Sequence, residues 1–384
     1  MKLAPPERRL PAGVTATAFI VAGAAAGLCV ARFTGGRTFP TPRVVDALIA
    51  IALGVGATTT VVFSLLLLVV QWAGNALTPR LPLFRHDPAV WRTFAYLMAV
   101  FVFCLTAMLN VGNRGTTSAA VPAFALLLAI GAALALRNLQ IKAFNSMQLA
   151  PVLHTVTENG RKALETLRPD PHAATAAGPD GQGVDVRWPH PPAAFHAVDA
   201  DRMIRMATAA DAVIEMRTAV GSRLETDSVI ARVHGGPIPA DAVVGALTTG
   251  PERIFRQDPL FALRLLADIS LRGLSGLNAP ATAVQALNHI DDLLRLAAQV
   301  THDQGQLTDG TGRIRLTVPL PSWDDYLRTA LDDVINAAEH SPMTLRRLRE
   351  LLDRLAAETT GPDHDTVGSR LHRVQTALAA LEDR

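Results

Sequence analysis

The sequence predicts an α-helical integral membrane protein. About four transmembrane helices are expected first, then a mainly α cytoplasmic region holding a small β-containing module. Three observations predict this. Apolar residues crowd positions 13–136, while Asp, Glu and Arg crowd the remainder. No apolar run carries a charge in its interior. Loops rich in Arg and Pro separate the runs.

The averages hide that division. The hydrophobic fraction is 49% and the mean hydropathy +0.24, values that a uniform soluble chain could also reach. At 384 residues the chain is long enough for two or three units. The formal charge of +2 is near balance and gives no nucleic-acid footprint. Arginine dominates the basic residues, since lysine occurs only at Lys2, Lys142 and Lys162. With abundant Ala, Gly and Pro, this reflects GC-rich coding rather than a selected arginine surface.

A helix needs roughly 20 apolar residues to cross the hydrocarbon core. The candidate spans cover about 13–31, 44–72, 93–111 and 119–136. They are too long and too uniformly apolar for amphipathic soluble helices. Lys2, Arg8 and Arg9 precede the first run as in a signal peptide. No small-residue cleavage site follows, so it reads as an uncleaved span. Cys29 and Cys104 both lie in apolar runs and read as small packing residues.

Basic flanks set the orientation. Lys2, Arg8, Arg9, Arg80, Arg85, Arg92, Arg137 and Lys142 fall on one side; Arg32, Arg37, Arg43 and Arg114 fall on the other. The excess predicts a plasma-membrane protein with both termini in the cytoplasm.

The second span is longer than a bilayer needs, so it tilts or projects. Asp46 sits at its edge, and Thr58, Thr59 and Thr60 near its middle. Thr60, Ser64, Gln71 and Asn75 recur close to one helix face. They are the candidates for lining a polar pathway; simple helix packing is the bland alternative, because hydroxyls can bond their own helix carbonyls. A proton relay needs an acidic or histidine chain in the membrane, and the spans contain none.

Beyond the spans, residues 137–168 read as a juxtamembrane helix interrupted by Pro151. Residues 169–183 form a Pro-, Gly- and Ala-rich linker. Residues 184–235 form the β-containing module, with strands at 184–188, 212–217 and 229–233 and a short helix capped by Asp199. From 236 to 384 the chain is expected to be helical: 259–273, 280–301, 323–338, 344–358 and 366–382, with a short strand at 313–318.

The stretch VGSRLETDSVIARV resembles the hairpin of sandwich-barrel modules of the lipoyl type. No lysine stands at its turn, which excludes a swinging arm.

Two stretches, 61–105 and 253–283, together resemble the predicted bacterial membrane proteins of domain of unknown function family 2254. The matching positions are Phe63, Ser64, Gln71, Pro79 and Arg80, then Gln257, Asp258, Pro259, Arg264, Asp268, Leu274, Ser275, Asn278, Pro280, Thr282 and Ala283. Gly276 stands where the family pattern has Pro, and Ala279 where it has Asp. The resemblance covers most of the chain. It implies a multi-pass membrane protein and carries no biochemical activity with it.

Arg264, Asp268 and Arg272 share a helix face at i, i+4 and i+8. With Gln257, Asp258, Asn278 and Thr282 they suggest a polar network. That network either fixes packing or binds a small anion, which arginine grips bidentately. No nucleophile elbow, phosphate-binding loop or His-Glu-x-x-His zinc motif occurs, so no enzyme, cofactor or metal is expected. The pairs Asp291–Asp292, Asp324–Asp325 and Asp332–Asp333 mostly lie near helix starts or on solvated faces.

Two functions are therefore expected to compete. One is a homo-oligomeric channel or transporter-like assembly for a small solute or ion. The other is a membrane-anchored scaffold or sensor whose cytoplasmic domain binds a protein or small anionic ligand.

Overall fold

The computed structural model describes residues 12–30, 32, 35, 37–76, 88–112, 115–167, 183–255, 257–275, 279–300 and 304–382. The chain divides into two compact units, Arg8–Leu149 and, chiefly, Ala150–Arg384.

The first unit holds α1 (Ala12–Val30), α2 (Thr41–Ala76), α3 (Pro88–Val111) and α4 (Ala120–Met147). Three of these, α2, α3 and α4, are long and apolar enough to cross a membrane, and Ala16–Val30 forms a shorter apolar helix. Leu48, Leu97 and Phe103 are fully buried among α2, α3 and α4. Outside, Leu53, Leu109 and Leu127 are more than half exposed. Of the large exposed apolar side chains among the described residues, only Val184 and Met343 belong to the second unit. An apolar surface confined to one unit is what lipid contact requires.

Lipid tails are as apolar as leucine, so close backbone approach rather than water exclusion holds such helices together. α1 achieves this at Gly23 and Gly27. A Cβ at Gly23 would overlap the Ala99 carbonyl of α3, and one at Gly27 would overlap Thr106 and the Phe103 carbonyl. The Asn110 amide of α3 donates to the Leu28 carbonyl at 3.2 Å. At one end of the unit, β1 (Thr38–Pro40) and β2 (Thr116–Ser118) form an antiparallel ribbon. The buried hydroxyls of Thr41 and Thr117 lie 2.8 Å apart beside it.

The second unit begins with α5 (Leu149–Thr166). The helix break comes before Pro151, at Gln148, and leaves the proline in the first turn of α5, where its missing N–H costs nothing. The linker expected at 169–183 lies outside the described residues except for Gly183.

Then follow β3 (Val184–Arg187), β4 (Ala193–Val198), α6 (Ala200–Ala209), β5 (Ala212–Met216), β6 (Arg223–Leu224), β7 (Val229–Gly235), α7 (Ala240–Val244) and β8 (Leu247–Gly250). The Asp199 carboxylate accepts from the Arg202 N–H and caps α6 as the sequence suggested. Two further strands, β9 (Gln304–Thr308) and β10 (Ile314–Pro319), come from the segment expected to be chiefly helical.

One sheet has the order β3-β7-β5-β10-β9, and the other β6-β4-β8. Among the described strands of these sheets, only β5 and β10 pair in parallel; the remaining pairs are antiparallel. The inner faces of both sheets and α6 share a core that includes Phe195, Met203, Ile214, Leu224, Ile230 and Leu316. The lipoyl-like hairpin is corrected here. β6 and β7 do not pair with each other, because β6 joins β4 in one sheet and β7 joins β3 and β5 in the other. The module also reaches past residue 235, since β8, β9 and β10 complete its sheets.

The helical part comprises α8 (Pro259–Ser275), α9 (Pro280–Ala297), α10 (Trp323–Leu327), α11 (Asp333–Ala337), α12 (Pro342–Glu358) and α13 (Pro362–Glu382). Residues Arg328–Asp332 join α10 to α11 as a π-helical turn, so the run is continuous. Pro259, Pro280, Pro342 and Pro362 each stand at a helix start, where proline fits.

Candidate functional site

Two polar arrangements follow from the residues singled out in the sequence. The first is the α2 face. Thr58, Thr59 and Thr60 donate to the carbonyls of Gly54, Val55 and Gly56 at 2.7, 2.6 and 3.1 Å. These bonds satisfy the hydroxyls within their own helix. Thr59 is buried in the bundle, while Thr60, Ser64 and Gln71 are exposed on its outside. Asn75 belongs to α2, but its side chain lies outside the described residues. Asp46, Ala50, Leu53, Ala57, Thr60, Ser64, Leu67 and Gln71 are all exposed, at alternating steps of four and three. That 3.5-residue repeat is the spacing of a helix seam.

The second arrangement is divided by the fold into separate places. Gln257 and Asp258 stand at the junction of sheet and helices. The Gln257 amide accepts from the Val198 N–H at 3.0 Å and donates to the Val198 carbonyl at 3.3 Å. Asp258 is 2% exposed. Its carboxylate takes two bonds from Arg253, at 2.7 and 2.8 Å, and accepts from the Phe261 N–H at 3.1 Å, which caps α8. Gly221, at φ +87°, lies against that carboxylate so closely that a Cβ would overlap it. Burial pushes the Asp258 carboxyl above its ordinary range, against the pull of Arg253. Burial, with Asp258 and Asp325 nearby, also pushes the Tyr326 phenol up.

Arg264 and Asp268 pair at 2.9 Å farther along α8, and Arg264 also reaches Asp333 at 2.7 Å. Arg272 lies in the last turn of α8. Thr282 lies in the first turn of α9, its Cβ facing Gly273. Pro79, Arg80, Gly276 and Asn278 lie outside the described residues.

The sequence pointed to some of these residues and missed their partners. Arg253 sits in the quoted stretch, but a separation of five is not a helix pairing. Asp333 is 69 residues from Arg264. Among the acidic pairs, Asp292 is exposed and Asp324 stands in a first helical turn as expected, whereas Asp291 departs from the expectation. Asp291 is 3% exposed and is held by Arg347 and Arg354 at 2.6 and 3.1 Å. Asp332 pairs with the buried Arg370 at 2.7 Å. Asp325 does stand at a helix start, in a capping box with Ser322. No group of three His, Cys, Asp or Glu side chains among the described residues is placed to hold a metal.

The sequence profile of the family described as Predicted membrane protein (DUF2254) matches residues 11–354. The chain belongs to that family. Within it, the uncharacterised protein Rv1290c of Mycobacterium tuberculosis is 25% identical, over 87% of this chain and 66% of its own. The uncharacterised protein Mb1321c of Mycobacterium bovis matches to the same extent. The chain thus spans 66% of the length of these curated relatives. No solved structure matches it. For this DUF2254 member the geometry sorts polar residues into an outward α2 seam and a set of internally paired clusters.

Proposed function

We propose that this family member is a homo-oligomeric plasma-membrane assembly in which α2 helices from several copies line a path for a small solute or ion. Four spans per chain, including α1, and cytoplasmic termini complete the reading; the excess of Lys and Arg on one side supports that orientation. The carrying observation is that Thr60, Ser64 and Gln71 face outward from the bundle. An amide turned toward hydrocarbon is costly, so a second copy or water against that seam removes the penalty. The bundle's own interior, filled by Leu97, Phe103 and Ala107, leaves conduction to an axis between chains.

The test is ion flux into liposomes containing the purified protein, compared with Thr60→Leu and Ser64→Leu. Flux that both substitutions reduce supports the reading. No flux for any ion, or flux indifferent to both, overturns it. Against the anchored scaffold or sensor built on Arg264 stands the engagement of that guanidinium by Asp268 and Asp333.

A further inference from the structure

A cleft of about 520 Å³ opens between the end of α11 and the C-terminal half of α13, a size that suits a small organic ligand. Its α13 wall lies beyond the matched segment 11–354. Ile335, Ala377, Ala380 and Leu381 provide an apolar floor. On α13 the packing against the rest of the bundle is done by the buried Val374 and Leu378. Ala377 and Ala380 turn a different face, and their small size leaves the space open.

The charges around the cleft decide the sign of its ligand. Arg373 lines it, but its guanidinium donates to the Asn336 side chain at 2.6 Å and lies 3.6 Å from Asp332. Arg370 behind it is matched by Asp332 and Asp324 at 2.7 and 2.9 Å. Those two arginines and two aspartates cancel. Glu339, exposed at the rim, has no ion-pair partner among the described residues. The run α10–α11 ends here, and a helix C-terminus carries partial negative charge. His340 and His372 add imidazoles, which in neutral form each offer an acceptor nitrogen.

We infer that this cleft binds a small organic ammonium ion. Glu339 and the imidazoles receive the charged head, and the alanine floor receives the apolar body. This stands apart from conduction through α2.

The test is calorimetric titration of the purified full chain in nonionic detergent at neutral pH. Three probes of one shape are compared: cyclohexylammonium, cyclohexanol and cyclohexanecarboxylate. Saturable binding is expected for the ammonium ion alone. Glu339→Gln should weaken it roughly tenfold, as the loss of a charge-assisted bond does. Ala377→Leu combined with Ala380→Leu should abolish it with an unchanged melting temperature. Should the filled variant fold poorly, the surface variant Glu339→Gln decides alone. Tighter binding of the carboxylate, equal binding of all three probes, no saturable ammonium binding, or indifference to Glu339→Gln overturns the assignment.

Discussion

The side chain of Gln257 occupies both backbone groups of Val198, accepting at 3.0 Å and donating at 3.3 Å. It closes the end of β4 as a neighbouring strand would. The next residue, Asp258, caps α8 and binds Arg253. Two consecutive side chains thereby fasten the sheet part of the second unit to its helical part.

Gln257→Leu keeps the volume and removes both bonds. The Val198 N–H and carbonyl are then left buried without those partners, at about 1–3 kcal/mol for each group. Thermal unfolding in nonionic detergent should register a loss of about 2–6 kcal/mol. A loss within measurement error would mean that water replaces the amide.

Asp258→Asn should change the pH dependence of stability. Burial raises the Asp258 carboxyl above its ordinary value of 3.8. A carboxyl raised in the folded state contributes stability that is full below the unfolded value and is lost as pH rises through the folded one. The stability of the natural protein relative to Asp258→Asn should therefore be greatest in acid and decline toward neutrality. Melting curves from pH 3 to 7 check the sign.

Gly221→Ala introduces a Cβ at positive φ and into the Asp258 carboxylate. A cost of about 2 kcal/mol or more is expected. Because the clash is with Asp258, the penalty should shrink in the double variant with Asp258→Ala. Simple additivity would argue for backbone strain alone.

Asp291 and Arg347 should couple strongly. Their side chains are 4% and 10% exposed and meet at 2.6 Å. Removing either leaves a charge poorly solvated, at a cost of about 3 kcal/mol. A double-mutant cycle with alanine should return an interaction of about 1–3 kcal/mol. A value near zero would mean that Arg354, 3.1 Å from Asp291, takes over.

Gly27→Val should lift α1 from α3, because the new side chain meets the Phe103 carbonyl and Thr106. Amide hydrogen exchange should accelerate over Ala12–Val30 and stay unchanged in α4. Equal protection in both helices would show that α1 finds another seat.

The apolar runs, the Asp199 cap and the prolines at helix starts were legible because each acts within a few residues of itself. β6 and β7 were misread as a hairpin because a turn and two β-prone stretches do not say which strand each will join. Asp291 was placed on a solvated face because its burial comes from Arg347 and Arg354 on another helix, far away in the chain. The stripe of Arg264, Asp268 and Arg272 was legible as a helix face, yet Asp333 reaches Arg264 from the start of α11, 69 residues away, and no local spacing announces that pairing. The cleft is the extreme case: alanines at 377 and 380 look like ordinary helix formers, and only the fold gives them an empty space to border.

The glycine contacts of α1 also bear on biogenesis. During synthesis α1 leaves the ribosome before α3, yet the surface it fits belongs to α3, more than sixty residues later. Until that later segment arrives, α1 lacks the surface against which its two glycines pack. Truncation after α2 should therefore leave α1 loosely held and open to quality-control proteases. Extension through Val111 should restore its protection.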